Sequence, residues 1–193
     1  MAEKDAFAER QRTFEEDYFR KKDRELIEKL RRAAEAEADR RAMGARTGLS
    51  DPALLAELQE LGFTPETIVL LPIMPVLQMA WAEGGVTGAE RTMIVTLARS
   101  RGVAVGSAAD QQLGRWLTDR PSDDVFARAT RLVRAMIGAE GPDASLAVTA
   151  DDLVKHCEQI ASTSGGILGI GRISAEERGL LASLAADLKE RHG

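Results

Sequence analysis

No glycine occurs before Gly44 and no proline before Pro52, and 25 of the first 46 residues are charged. A stretch without either backbone breaker, built from Glu, Lys, Arg and Ala, has one regular solution, an unbroken α-helix. The pattern predicts that helix over Asp5–Met43, roughly 58 Å at 1.5 Å per residue. Gly44 and Gly48 are expected to stop it and open a short linker. So charged a rod can bury little of itself. Its apolar positions form two stripes. At 100° per residue Phe7, Phe14 and Tyr18 fall within about 40° of arc, and Phe19, Leu26, Ile27 and Leu30 lie roughly 100–200° away. A coiled-coil seam would keep one face along its length, so simple self-pairing fits poorly. Aromatic anchors on an otherwise solvated helix suit docking into a partner's groove. They equally suit a charged arm folded back on its own domain.

The remainder has a different composition. The first 46 residues carry 13 Lys+Arg and 12 Asp+Glu, whereas residues 47–193 carry 13 and 19. The net charge of −5 argues against a dedicated nucleic-acid binder. The longest apolar run, Ile68–Leu77, is ten residues with two prolines, too short to span a bilayer, so no membrane insertion is expected. The opening MAEKDAFAER has neither a secretory nor a transit-peptide pattern. A single cysteine, Cys157, leaves no internal disulfide framework and no multi-Cys zinc site. A reducing, cytoplasmic setting is expected.

Residues 50–193 read as all-helical. Asp51-Pro52 and Thr64-Pro65 are N-cap-plus-proline starts. Thr87-Gly-Ala-Glu90 and Ser174-Ala-Glu-Glu177 fit the capping box. Helices are expected near 51–61, 66–82, 88–101, 107–118, 122–138, 149–163 and 174–191, the second kinked or broken by Pro72 and Pro75. No stretch has the alternation of a strand. The expected core is Ile68, Leu71, Leu77, Trp81, Ile94, Leu97, Leu132, Ile137, Leu153, Ile160, Leu180, Leu184 and Leu188. The domain plan is a long charged helix over 1–46, a linker and short helix over 47–63, and a helical domain over 64–193.

An internal echo runs through that domain. AWAEGGVTGAERTMIVTLARSRG joins a helix, a glycine turn and a capped acidic helix, and IASTSGGILGIGRISAEERGLLASLAADL repeats the order with a longer turn. The arrangement resembles the TerB-like (tellurite-resistance B) helical domain over about residues 64–191. That resemblance implies an orthogonal helical bundle. Family members often carry an Asp-Gly turn that joins a metal site. Here Glu83-Gly84-Gly85 and Ser164-Gly165-Gly166 stand instead, without the dense oxygen ligands calcium needs, and no metal is expected.

The segment AFAERQRTFEEDYFRKKDRELIEKLRR, residues 6–32, resembles, without gaps, the inhibitory segment of the mitochondrial ATPase inhibitor family. The shared pattern is carried by Phe7, Arg10, Glu15, Glu16, Tyr18, Phe19, Arg20, Arg24, Glu25, Leu30, Arg31 and Arg32. The resemblance implies a helix that enters a catalytic α/β interface of the F-type ATP synthase head and stops rotation during ATP hydrolysis. It implies partner contacts by Phe7, Arg10, Phe14, Glu15, Tyr18, Phe19, Arg20, Arg24, Glu25, Ile27 and Leu30. Phe7, near the leading end, would reach the inner head or the rotor γ subunit. Glu15 would pair with a basic group of the β subunit, and Tyr18 would fill an apolar slot. There are departures. Gln11 stands where the family commonly has Glu, and Ala33 and Ala34 stand where mammalian members have a histidine pair. The first histidine is His156, so inhibition is expected to hold between about pH 6.5 and 8, with no histidine switch. The family's C-terminal coiled coil is replaced by the globular domain, which puts its usual dimerisation in doubt.

Other chemistry is weak. Adjacent helical residues point about 100° apart, so His156-Cys157 reads as a core or partly exposed pair and not as nucleophile and base. Gly166-x-x-Gly169-x-Gly171 lacks the Lys-Ser/Thr end and the preceding strand of a phosphate loop. No carboxylate pair stands out as general acid and base. Neither enzyme activity nor a cofactor is expected. A second reading stays open: a TerB-like stress or signalling interaction protein whose charged arm does not act on ATP synthase.

Overall fold

A computed structural model describes the backbone of residues 2–139, 141–164 and 175–189, and the side chains from Tyr18 onward except at 138, 164, 176 and 189. Among the described residues every regular element is helical. The elements are α1 (Ala2–Thr47), α2 (Pro52–Glu60), a 3₁₀ segment (Ile68–Ile73), α3 (Met74–Ala80), α4 (Gly88–Ser100), α5 (Ala108–Trp116), α6 (Asp123–Ala139), α7 (Ala150–Ser164) and α8 (Ala175–Lys189). The chain divides into two compact units, Met1–Asp39 and Arg40–Gly193.

The first unit is the greater part of α1. Its 46 residues make α1 about 69 Å long, longer at both ends than the sequence predicts. Ion pairs one turn apart lace its surface: Lys22–Glu25 at 3.3 Å, Arg31–Glu35 at 2.9 Å and Arg32–Glu28 at 3.1 Å. Such exposed pairs each add about 0.2–0.5 kcal/mol to a helix. They and intrinsic propensity do here what a core does elsewhere.

The second unit starts inside α1. Gly44 does not stop the helix, contrary to the expectation; α1 runs through it to Thr47. A Cβ at Gly44 would lie 2.9 Å from the Leu49 carbonyl oxygen and 3.3 Å from Leu55 Cδ1, so this glycine permits close packing. The stop is Gly48, whose φ of +79° no ordinary L-residue adopts comfortably. Its N–H donates to the Gly44 carbonyl at 2.9 Å. Met43 and Thr47 are buried, and the Thr47 hydroxyl donates to the Met43 carbonyl at 2.8 Å. Arg46 Nε pairs with Asp143 at 2.7 Å, and its guanidinium also donates to the Pro65 carbonyl. The closing turns of α1 are thus built into the second unit.

The core centres on the 3₁₀ segment and α3. Every residue from Thr67 to Leu77 is buried, because α4, α6, α7 and α8 surround α3 while α4, α5 and α6 surround the 3₁₀ segment. A helix apolar all round must be covered all round. Pro72 removes an α-type hydrogen bond, and the chain is 3₁₀ up to Ile73 before α3 begins. The expected 66–82 helix is therefore broken where the prolines predicted. Thr64-Pro65 does not start it. Thr64 N–H donates to the Thr67 hydroxyl at 2.9 Å, and Thr67 N–H to the Thr64 carbonyl at 3.1 Å, forming a separate turn.

The other starts follow the caps. Asp51 accepts from Ala53 N–H at 2.8 Å. Thr87 and Glu90 form the full capping box, with Thr87 N–H donating to Glu90 Oε2 at 2.7 Å and Glu90 N–H donating to Thr87 Oγ1 at 3.3 Å. Ser174 lies outside the described residues. Of the expected core, Trp81, Leu97, Ile137 and Leu180 are only partly buried; the other nine are buried. Trp81 has a polar edge to satisfy, and its indole N–H donates to the Trp116 carbonyl at 2.9 Å. The two halves of the echo meet: α3 packs on α7, and α7 on α4 and α8. The segment 165–174, with its glycines, is outside the described residues.

Candidate functional site: the exposed face of the N-terminal helix

The residues singled out in the sequence all lie on the α1 backbone. The side chains of Phe7, Arg10, Phe14 and Glu15 are outside the described set; helical periodicity places positions 7, 14 and 18 on one arc of about 40°. The others can be followed atom by atom. Tyr18, Phe19, Leu26, Ile27 and Leu30 are 55–64% exposed. Five large exposed apolar side chains within 13 residues of one helix are more than the scattered single residues normal on a surface.

The group has internal order. The Tyr18 and Phe19 rings meet edge to face, with centroids 5.9 Å apart and planes at 73°. That contact joins the two stripes, which periodicity alone places about 100° apart. Lys22 Nζ sits 5.7 Å from the Tyr18 ring centroid, within cation–π range, and its ion pair with Glu25 holds it there. Arg24 Nε donates to the Arg20 carbonyl at 3.3 Å. Lys22 was not among the residues selected from sequence, although its spacing of four from Tyr18 is the signal that would have found it.

The described residues of the second unit include the His156-Cys157 pair and a sizeable cleft. Cys157 is fully buried, and burial pushes its thiol up to about 12, so no thiolate forms near neutral pH. His156 Nδ1 donates to the Asp152 carbonyl at 2.7 Å. A cleft of about 560 Å³ is lined by Thr47, Met136, Leu146, Val148, Thr149 and Asp152, among others. Two of its polar residues, Thr149 and Asp152, serve each other, and the Thr47 hydroxyl is bonded to the Met43 carbonyl. Thr149 Oγ1 donates to Asp152 at 2.7 Å, which is the first cause of that carboxyl's lowered pKa, and Asp152 N–H returns to Thr149 at 3.1 Å, capping α7. Among the described residues no group of three or more His, Cys, Asp and Glu side chains is placed to hold a metal ion, and no helix is long and apolar enough to cross a membrane. Compared with family models, curated proteins and solved structures, the chain matches none.

Proposed function

We propose that this chain inhibits F-type ATP synthase, its N-terminal helix entering a catalytic α/β interface of the head and blocking ATP hydrolysis. The observation that carries the reading is the exposed row of Tyr18, Phe19, Leu26, Ile27 and Leu30 on a long charged helix, within the segment that resembles the inhibitor family. A helix clamped between two subunits needs apolar contacts on two sides, and the stripes supply them. Water leaving these five side chains provides the affinity, and the charges around them set register and exclude wrong partners. The chain acts as a binding protein, in the cytoplasm. The second unit, into which Arg40–Thr47 are built, anchors or positions the helix.

The test is ATP hydrolysis by a purified bacterial F-type head titrated with the full chain. Inhibition at micromolar concentration or below is expected. Tyr18→Ala should raise the half-inhibitory concentration about tenfold or more, as truncating a buried aromatic anchor does, and Glu15→Ala should add to it. Absence of inhibition at micromolar concentrations would favour the stress or signalling reading, in which the arm binds another partner or packs on itself.

A further inference from the structure

The geometry points to Lys22 as a positioning residue that fixes the Tyr18 ring and spans the gap between the two apolar stripes, so that both stripes enter the interface in a fixed relation. This rests on the reading of α1 as an inhibitory arm. Tyr18, Lys22, Leu26 and Leu30 follow one another at four-residue spacing, so each sits about 40° around the helix from the last. Lys22 therefore occupies the position between the tyrosine stripe and the leucine stripe. Its ammonium lies 5.7 Å from the Tyr18 ring centroid and pairs with Glu25 at 3.3 Å. The Phe19 ring meets the same tyrosine edge to face, with centroids 5.9 Å apart.

Three consequences follow from that cluster. At a position between the stripes, the aliphatic stem of Lys22 supplies apolar surface to a partner, as long charged side chains do. The ring touches both a cation and a second ring, so less of its freedom remains to be lost on binding. The ammonium and the Glu25 carboxylate balance each other, so the cluster enters a partner without an uncompensated charge, and the cation–ring attraction strengthens as water leaves.

The experiment uses the full chain and the bacterial F-type head. Lys22→Gln should raise the half-inhibitory concentration about fivefold, within the range of a desolvated cation–π contact. Lys22→Arg, which keeps the cation, should restore inhibition to within about twofold of the parent. In a Tyr18→Leu background, Lys22→Gln should have no further effect. Helix content by circular dichroism should not change, and the Lys22 ε-protons should show an upfield ring-current shift that Tyr18→Leu abolishes. Equal inhibition by Lys22→Gln, or an equal loss in the Tyr18→Leu background, would overturn the role of Lys22, the latter making it an independent charge contact. A missing ring-current shift in a chain that inhibits removes only that role. A parent chain that does not inhibit removes the underlying reading, and the docking role with it.

Discussion

Leu30 and Leu71 are the same side chain in opposite surroundings. Leu30, in the unit Met1–Asp39, is 60% exposed; Leu71, in the unit Arg40–Gly193, is fully buried. In the second unit apolar residues are dense enough to cover one another, and hydrophobic burial holds the helices together. In the first, apolar residues are separated by charges, and the helix is held by propensity and one-turn ion pairs. An apolar residue that is mostly exposed on its own helix is available to a surface outside the fold. That contrast, more than any single contact, is why the exposed row on α1 is the candidate site.

The contrast makes its largest prediction about stability. Leu71→Ala should cost about 2–5 kcal/mol, the range for a buried leucine left as a cavity. Leu26→Ala in the arm should stay within about 0.5 kcal/mol, whatever it does to inhibition. Urea denaturation of both variants reads the difference directly, and equal losses would break the comparison. Next comes the point where α1 ends within the second unit. Gly48→Ala should destabilise by about 1–3 kcal/mol, because the backbone is left-handed there and a Cβ would sit 2.8 Å from Gly141 Cα. Thermal unfolding measures it, and an unchanged midpoint would mean that the end of α1 is not seated as described.

The smallest effect concerns charge. The Ser145 hydroxyl, and then Arg46, hold the Asp143 carboxyl below the usual carboxylate range. A depressed folded-state value means that its contribution is complete above the unfolded value near pH 4 and is lost as pH falls through the lower folded value. The pair is partly exposed, so screening keeps it under about 1 kcal/mol. Asp143→Asn should be less stable than the parent at pH 7 by that amount, and the two should converge in acid. A constant gap down to pH 2 would mean that the loss is steric rather than ionic.

Much of the second unit was legible because its signals are local. Asp51 and the Thr87–Glu90 box act within one turn of themselves, and Pro72 breaks a helix whatever surrounds it. The errors fall where a distant residue decides. Gly44 has the composition of a helix stop, but the approach of Leu49 and Leu55 explains its presence within the helix. Periodicity assigns a helix one buried face and so omits Val69, Leu70, Ile73, Met74 and Val76 from the core, whereas the packing of five other helices leaves this segment no exposed face. For the candidate site, the stripes were legible as helical spacing, whereas the rotamers joining Tyr18, Phe19 and Lys22 were not.

By itself the amino-acid order determined that this chain is helical, where most of its helices begin, and that a charged, breaker-free rod leads it, because propensity, caps and prolines act over a few residues. Only the tertiary structure decided that α1 continues past Gly44, that the division falls between Asp39 and Arg40, and that Arg46 meets Asp143, 97 residues away in the chain. Those outcomes depend on which surfaces come together. The energy of burial belongs to pairs of surfaces and not to any one stretch of chain.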